Sequence, residues 1–583
     1  MRILLLAHSF NSLAQRLWAE LERDGHELTL ELDVNDRVTE EAVRLADPEL
    51  VVAPFLKRAI PEPVWRRHRC LVVHPGIEGD RGPSALDWAV QEGEREWGVT
   101  VLEANGEMDA GDIWATRTLP MREASKGSLY RNEVTEAAVA AVREAIERIG
   151  RGEKPRPLDY GRPGVRGRPR PPMRQADRAI DWSRDDTATV LRKIRAADGM
   201  PGVQDEVLGL ACRLFDAHAE GPLAARFAGA LPGAVVATRD GAILRRTRDG
   251  AVWVTHLKRV DTLPHGSLKL PAAQVLGDRL AGVPDLPLAA DAPSDGPTWQ
   301  PIRYEERGPV GVLHFAFHNG AMSTAQCHAL REAVAAARTR PTRVLVLAGG
   351  PDFWSNGIHL NVIEAAAHPA EESWRNIEAM NDLVLEILAA QGQLTIAALQ
   401  GNAGAGGCFL ALAADRVYAR SGVVLNAHYR AMGNLYGSEY WTYLLPRRVG
   451  PGQAHAIMER RLPLVAAGAA AIGLVDEAFG ATPAAFLAEV LERAATLAAA
   501  PDCDALLAEK RRRRAADEAA KPLARYREEE LARMKLNFFG FDPSYHVARY
   551  HFVHKLPKAR TPSFLARHRL PGRKAAAIGC TPA

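Results

Sequence analysis

A histidine and an aspartate stand in two short motifs near the amino terminus. His74 follows the apolar run 70–73 and precedes P-G, and Asp109 lies in the turn M-D-A-G-D-I (108–113). An imidazole with a pKa near neutrality can carry protons during acyl transfer, and a carboxylate can orient the ring and stabilise its charged form. The pair therefore predicts acid–base chemistry at His74 and Asp109.

A glycine-rich turn marks a second candidate site far along the chain. The segment G-N-A-G-A-G-G-C (401–408) follows the apolar run 395–399 and precedes a helical pattern at 409–414. Glycine lets a ligand approach the backbone, and a helix N-terminus directs amide donors towards it. This turn predicts a ligand that is held by backbone groups.

The elements that position His74 read as an open α/β sheet. Apolar runs at 2–7, 50–53 and 70–73 are spaced for parallel strands, and a helical pattern covers 13–24. Ligands of such sheets bind beyond the carboxyl ends of the strands. The loop after the first run, with His8, Ser9 and Asn11, is therefore expected to lie near His74.

The rest of the chain divides at proline-rich and polar stretches. Six prolines and eight lysines or arginines between 151 and 174 predict a linker. The charge run 510–514 is expected to be the solvated face of a helix. We predict an α/β domain at 1–155, a small α+β or barrel-like domain at 175–282, a second α/β domain at 298–500 and a helical segment at 501–583.

Composition favours a large globular enzyme. The 583 residues carry a net charge of +3, with 47% hydrophobic and 25% charged residues, so neither disorder nor a nucleic-acid partner is indicated. The six cysteines form no C-x-x-C pair, which predicts neither a disulfide framework nor a metal site. No run of about 18 apolar residues occurs, and we expect a cytoplasmic protein without a membrane span.

The motifs around His74 resemble the formyltransferase and formyl-tetrahydrofolate hydrolase family. The resemblance rests on H-P-G (74–76), R-G-P-S-A-L-D-W-A (81–89), G-V-T (98–100) and M-D-A-G-D-I. Further on, I-D-W-S-R (180–184), K-I-R-A (193–196) and P-G-V (201–203) resemble the carboxyl-terminal domain of methionyl-tRNA formyltransferase. The family implies 10-formyltetrahydrofolate as formyl donor, bound at His8, Ser9 and Asn11, with His74 and Asp109 as catalytic residues.

One position departs from that family's Asn, His, Asp triad. The asparagine stands two residues before the histidine, where this chain has Val72. Loss of a donor to a developing oxyanion typically costs about two to three orders of magnitude in rate. A thiol is a better nucleophile at neutral pH than a protonated amine, so Val72 favours coenzyme A (CoA) over a tRNA amine as the acceptor.

The segments F-W-S-N-G-I-H-L-N (353–361) and 401–408 together resemble the crotonase superfamily of acyl-CoA enzymes. The resemblance implies that two backbone amides, by alignment those of Ile358 and Ala405, polarise a thioester carbonyl. Gly404 and Gly406 shape the same CoA site. The two glutamates of the hydratases fall at Phe409 and Tyr429, which argues against water addition. We predict that Tyr429 and Glu439 instead exchange a proton.

The order of the two parts, and the tail F-F-G-F-D-P-S-Y-H (538–546), resemble the HypX/HoxX family of nickel-iron hydrogenase maturation proteins. That family implies carbon monoxide synthesis. The mechanism we predict is formyl transfer to the CoA thiol, followed by decarbonylation of formyl-CoA, with CoA regenerated. Arg131, Arg549 and Lys555 are assigned to the CoA phosphates from charge alone.

Two alternatives remain open on the sequence. One is a formyl-tetrahydrofolate hydrolase or formyltransferase joined to a CoA-ester hydratase or hydrolase. The other is a non-catalytic scaffold that binds CoA or a hydrogenase precursor. Small molecules are the expected ligands, and hydrogenase maturation proteins are candidate protein partners.

Overall fold

The first domain is an open sheet flanked by helices. The computed structural model describes residues 1–260, 266–293 and 295–570. The strands are β1 (Arg2–Ala7), β2 (Glu27–Leu32), β3 (Leu50–Phe55), β4 (Cys70–His74), β5 (Glu96–Glu103) and β6 (Ile113–Pro120). The helices are α1 (Ser12–Arg23), α2 (Asp36–Ala46), α3 (Glu62–Trp65), α4 (Ala85–Glu92), α5 (Lys126–Leu129) and α6 (Thr135–Gly150), with a π-helical turn at Tyr130–Val134.

This sheet has the order β2-β1-β3-β4-β5-β6. The strands β1 to β4 pair in parallel, and β5 and β6 are antiparallel. The predicted open α/β sheet is therefore confirmed. The strands β1, β3 and β4 are largely apolar runs because helices cover both faces of the sheet, whereas the edge strand β2 alternates polar and apolar residues.

The small second domain is built on an antiparallel sheet. Its elements are α7 (Thr187–Ala197), β7 (Val203–Val207), β8 (Leu210–Glu220), β9 (Val235–Arg239), β10 (Ala242–Arg246), β11 (Ala251–Arg259), β12 (Lys269–Pro271) and α8 (Ala272–Leu276). The sheet order is β7-β8-β11-β10-β9, with β12 beside β11. The described strands form an open path, so the α+β interpretation fits and no closed barrel forms among them.

The third domain contains two sheets. Its strands are β13 (Ile302–Arg307), β14 (Val310–Phe315), β15 (Val344–Gly349), β16 (Phe353–Ser355), β17 (Leu394–Leu399), β18 (Asn402–Gly404), β19 (Arg416–Arg420), β20 (Val424–Asn426), β21 (Leu464–Val465) and β22 (Glu477–Phe479). Its helices are α9 (Thr324–Arg338), α10 (Leu360–Ala365), α11 (Pro369–Leu388), α12 (Gly406–Leu412), α13 (Trp441–Val449), α14 (Pro451–Arg460), α15 (Ala466–Ala471) and α16 (Pro483–Ala499). The larger sheet runs β13-β14-β15-β17-β19-β22, and the smaller one runs β16-β18-β20-β21.

The carboxyl-terminal segment is helical. It comprises α17 (Cys503–Ala520), α18 (Leu523–Phe539) and α19 (Ser544–Val553). Pro522 separates the first two helices because proline lacks a backbone donor. The solvated-face prediction for 510–514 is wrong for Lys510, whose buried Nζ donates to Asp415 at 2.6 Å and to the Gln393 carbonyl at 2.8 Å. The end of the predicted segment, 571–583 with Cys580, lies outside the described residues.

The domains pack against one another through buried polar contacts. Asp352 of the third domain accepts from Ser128 Oγ at 2.7 Å and from Asn132 Nδ2 at 2.9 Å in the first. The carboxyl-terminal segment returns to β2, where Leu30 N–H donates to the Leu565 carbonyl at 3.0 Å. None of the helices in the described ranges is long and apolar enough to cross a membrane.

Candidate functional site

His74 lies at the carboxyl end of β4 and is buried. Its Nδ1 is 3.5 Å from Oδ2 of Asp109, so the two predicted residues do come together. Asp109 adopts a left-handed backbone with φ of 54°, and its Oδ2 also accepts from Gly82 N–H at 3.3 Å. This arrangement can hold the imidazole and stabilise its positive charge during proton transfer.

A second carboxylate faces the other side of the ring. Asp80 Oδ2 lies 3.8 Å from His74 Nε2, and Arg170 Nε lies 3.6 Å from Asp80 Oδ1. Neither His74 Nε2 nor the Asp80 oxygens have a hydrogen-bond partner among the described residues, although all three atoms are buried. Orphaned buried polar atoms are costly and fit a polar ligand here. Sequence reasoning missed Asp80, whose signal is its place between H-P-G and R-G-P.

The backbone turn after His74 is shaped by close contacts. A Cβ at Gly76 would lie 2.4 Å from His74 Nε2, so a side chain at this position would displace the ring. Val72 lies two residues earlier on β4 and therefore shares the strand face of His74. Its apolar side chain supplies no hydrogen-bond donor where the formyltransferase triad has an amide.

The loop after β1 holds the three residues predicted to bind folate. His8 and Ser9 are exposed at the end of the strand. Asn11 has a structural role, because its Oδ1 accepts from Ala14 N–H at 3.0 Å and caps α1. Its Nδ2 donates to the Tyr130 hydroxyl at 3.2 Å. The side chains of His8 and Ser9 are thus more accessible to a ligand than that of Asn11.

The predicted pair in the third domain is in contact. The Tyr429 hydroxyl donates a short hydrogen bond to Oε2 of Glu439, and both side chains are buried. Burial and, to a smaller extent, the nearby Glu530 raise the pKa of Glu439 to about 8, although the Tyr429 hydrogen bond opposes the shift. Burial and the adjacent Glu439 raise the pKa of Tyr429 well above its ordinary value. A carboxyl that titrates near neutral pH can serve as a catalytic acid or base.

The backbone donors of this site come from the ends of β16 and β18. These strands pair in parallel, with Phe353 opposite Asn402, so the segments after them lie side by side. The assignment of Ala405 as a donor does not fit, because its N–H already donates to the Asn426 carbonyl at 2.9 Å. Gly406 begins α12, and a first-turn amide has no acceptor within its own helix. We therefore assign the donors to Ile358 and Gly406.

Gly406 also lies close to the Tyr429–Glu439 pair. A Cβ at this position would meet Glu439 Oε1 at 2.2 Å and the Tyr429 hydroxyl at 3.0 Å. A Cβ at Gly404 would meet Asn356 Oδ1 at 2.7 Å. Both glycines are therefore required by close approach, as the sequence pattern predicted for the turn. A carbonyl held by the Gly406 amide would lie beside Glu439.

Glu530 on α18 supports this site, and sequence reasoning missed it. Its Oε2 accepts from Tyr440 N–H at 2.9 Å and Ser438 Oγ at 3.3 Å, and its Oε1 accepts from Thr442 N–H at 2.8 Å. Glu439 and Tyr440 have left-handed backbones, with φ of 61° and 59°. The donors that surround Glu530 therefore help to hold Glu439 in a conformation that non-glycine residues rarely adopt.

Replacement of Glu530 by glutamine is expected to lower both stability and activity. In the variant, an NH₂ group would replace one of the carboxylate oxygens that accept from the surrounding donors. An unsatisfied buried group costs about 1–3 kcal/mol. The free energy of unfolding, measured by urea titration, should fall by about that amount. Glu529→Gln is the matched control because Glu529 is exposed and pairs only at the surface with Lys521. Equal stability of the two variants would contradict this role of Glu530.

The three cations assigned to CoA phosphates have different environments. Arg131 lies 3.1 Å from Asp352 and stacks on Phe353, and the buried Arg549 pairs with Glu364 at 2.7 Å. Both arginines are therefore ion-paired within the protein, whereas Lys555 is exposed. The phosphate assignments of all three cations remain predictions.

A further cation, Lys269, was missed because it stands alone in the sequence. Burial lowers the pKa of Lys269 to about 8; Asp198 and Asp216 oppose the shift, whereas Lys555 and Arg131 add to it. The charges of Lys555 and Arg131 thus act on Lys269, together with those of the carboxylates Asp198 and Asp216. The three cations come from the first domain, the second domain and the carboxyl-terminal segment.

Comparison with known proteins matches both halves of the chain. A formyl transferase family model matches residues 26–146, a formyl transferase carboxyl-terminal domain model matches 172–263, and an enoyl-CoA hydratase/isomerase model matches 310–538. Methionyl-tRNA formyltransferase of Desulfotalea psychrophila is 30% identical over 35% of this chain and 62% of its own length. The fold and the two sites thus define a formyltransferase joined to a crotonase-type protein.

Two relatives have the whole arrangement. Hydrogenase maturation factor HoxX of Bradyrhizobium diazoefficiens is 56% identical over 98% of this chain and 99% of its own length. HypX from Aquifex aeolicus, solved in complex with tetrahydrofolic acid, is 49% identical, covers 99% of this chain and 100% of its own, and superposes with a TM-score of 0.94. The chain belongs to the HoxX/HypX family of hydrogenase maturation factors.

Proposed function

We propose that this protein makes carbon monoxide for nickel-iron hydrogenase maturation in two steps. In the first, a formyl group passes from 10-formyltetrahydrofolate to the thiol of CoA. In the second, formyl-CoA splits into carbon monoxide and CoA. The observation that carries the proposal is the buried Tyr429–Glu439 pair against Gly406, at a site where a hydratase would hold two glutamates.

For the first step, His74 is assigned as the general base. It accepts the thiol proton as sulfur attacks the formyl carbon, and it returns a proton to the folate nitrogen as the carbon–nitrogen bond breaks. Asp109 stabilises the imidazolium from 3.5 Å. The tetrahydrofolic acid complex of the Aquifex aeolicus relative supports a folate donor. Val72 lacks the amide donor of the formyltransferase triad, and this loss favours a thiol over an amine as the acceptor.

For the second step, Ile358 and Gly406 donate their amides to the thioester oxygen. Glu439, as carboxylate, accepts the formyl proton, and the carbon–sulfur bond breaks to release carbon monoxide. Tyr429 stabilises the carboxylate through its hydrogen bond, and the proton passes from this pair to the departing sulfur. Atoms balance, because formyl-CoA yields one carbon monoxide and one CoA thiol. No oxidant or reductant is required.

Placement of the CoA phosphates near Arg131, Lys269 and Lys555 completes the proposal. These side chains come from three parts of the chain, and the charges of Lys555 and Arg131 act on Lys269. A phosphate there would be held where the first, second and carboxyl-terminal parts meet. The pantetheine arm of CoA then supplies a flexible link towards both reaction centres.

The test is incubation of the purified protein with 10-formyltetrahydrofolate and CoA. Carbon monoxide is measured by haemoglobin spectroscopy, and formate is measured in the same samples. We expect carbon monoxide that depends on CoA. Formate without carbon monoxide would instead support a hydrolase. Full maturation of a hydrogenase by the Tyr429→Phe, Glu439→Gln double variant would support a non-catalytic scaffold.

The raised pKa of Glu439 predicts a pH-dependent stability. In the unfolded chain its carboxyl titrates near 4.5, whereas its pKa in the folded protein is about 8. Between about pH 5 and 8 the unfolded state has lost this proton and the folded state keeps it, so the free energy of unfolding falls as pH rises. Urea titrations across this range should show a steeper fall for the wild type than for Glu439→Gln. Equal slopes would contradict the shift.

A further inference from the structure

A cluster of potential metal-ligating side chains, one buried and two partly buried, lies outside both sites. Asp216 of β8 and His256 of β11 belong to the small second domain, and His318 follows β14 of the third domain. Each residue offers one ligand atom, and these atoms all lie within 4.8 Å of one another. Neither proposed reaction uses them. They meet at the interface between the second and third domains, so we consider a separate role for them.

The carboxylate at the centre of the cluster is held by several donors. Asp216 Oδ2 accepts from the Thr255 hydroxyl at 2.6 Å, and its Oδ1 lies 3.0 Å from His218 Nε2. His318 Nδ1 is 3.3 Å from the same Oδ2. These contacts fix the orientation of the carboxylate.

His318 presents an unused nitrogen inside the protein. Its side chain is 9% exposed, and with Nδ1 towards Asp216 its Nε2 is buried without a hydrogen-bond partner in the described part of the chain. An unsatisfied buried acceptor is costly in a folded protein. The lone pair of a neutral imidazole is also the commonest metal ligand. Its Nδ1, 3.3 Å from Asp216 Oδ2, is the ring nitrogen close enough to share one ion with that carboxylate.

His256 is arranged in a similar way. Its ring stacks on that of His318, with centroids 4.2 Å apart, and its Nδ1 lies 2.7 Å from the Thr255 hydroxyl that bonds Asp216. The Nδ1 atoms of both rings therefore face the Asp216 network, directly or through Thr255.

We propose that Asp216, His256 and His318 bind one divalent transition-metal ion. Two imidazoles and a carboxylate suit zinc, iron(II), cobalt(II) or nickel(II), whereas calcium and magnesium prefer oxygen ligands alone. Three protein ligands leave at least one coordination position open. The ion would connect the second and third domains. It would lie beside the segment after His318, where Gly320 accepts from Asn356 N–H at 2.7 Å, next to the proposed oxyanion donors.

The test uses zinc and cobalt(II) as probes of the full chain. The protein is treated with chelator, and zinc binding is then measured by calorimetry and cobalt(II) binding by its visible absorption. We expect one ion per chain and a higher melting temperature in zinc, because a ligand that binds only the folded state stabilises it. His318→Gln and Asp216→Asn should each weaken zinc binding about tenfold or more and remove the melting shift.

A neighbouring histidine supplies the matched control. The His359 ring lies 6.5 Å from that of His256, and its Nδ1 accepts from Val362 N–H at 3.3 Å, so it is buried but outside the cluster. His359→Gln should bind zinc as the wild type does. Absence of binding to the chelator-treated wild type, or unchanged binding by His318→Gln, would overturn the proposal. If His318→Gln does not fold, the cobalt(II) spectrum of Asp216→Asn decides, and a spectrum like that of the wild type would overturn it.

Discussion

Replacement of Glu439 by glutamine is expected to lower the rate of carbon monoxide release from formyl-CoA by about two to four orders of magnitude. Glutamine has nearly the same shape and keeps an acceptor for Tyr429, but it cannot take the formyl proton. The measurement is carbon monoxide released from supplied formyl-CoA, which bypasses the folate site. Because the Glu439 pKa is about 8, the wild-type rate should rise with pH towards that value, and the variant should lack this rise.

The controls for Glu439→Gln separate chemistry from binding. Affinity for CoA, measured by calorimetry, should stay close to that of the wild type. Tyr429→Phe should also lose activity, whereas Tyr436→Phe, a change in the same loop, should retain it. Tyr436 packs on Trp441 with ring centroids 5.4 Å apart and lies outside the proposed pair. A Glu439→Gln enzyme with full carbon monoxide output would refute the assignment of the second site.

Replacement of His74 by glutamine is expected to lower formyl transfer from 10-formyltetrahydrofolate by a similar factor, about two to four orders of magnitude. The variant loses the base that takes the thiol proton, but glutamine keeps a polar side chain at this buried position. Tetrahydrofolate formation is the measurement. Carbon monoxide release from supplied formyl-CoA should remain unchanged, because that step uses Tyr429 and Glu439.

A loss of formyl transfer with unchanged carbon monoxide release in His74→Gln would mean that the two steps use separate sites. His455→Gln is a suitable control, because this histidine is exposed on α14. It should leave both steps unchanged. If His74→Gln impaired both steps equally after correction for folding, the assignment of His74 to formyl transfer alone would be wrong.

Local pattern was sufficient for much of the fold. Apolar runs predicted the core strands, and the helical pattern predicted at 13–24 agrees with α1 (Ser12–Arg23). These predictions succeed because periodicity and burial are local properties of a chain. The pattern did not show that Pro522 divides the predicted helical segment between α17 and α18. The domain boundaries stay predictions.

The candidate site was only partly predictable, because sequence motifs report local pattern and not the contacts of the folded chain. Sequence motifs placed His74 with Asp109 and Tyr429 with Glu439, and each pair is in proximity in the fold. The choice between Ala405 and Gly406 as amide donor depended on a hydrogen bond to Asn426, which spacing does not encode.

The sequence by itself determined the class of the protein, and it predicted two candidate sites and the residue types that they contain. Only the tertiary structure decided which groups support them: Asp80 beside His74, and Glu530 beneath the loop of Glu439. Only the tertiary structure brought together Asp216, His256 and His318. The physical reason is that orientation, burial and loss of solvent arise when distant segments pack, and no short motif specifies those contacts.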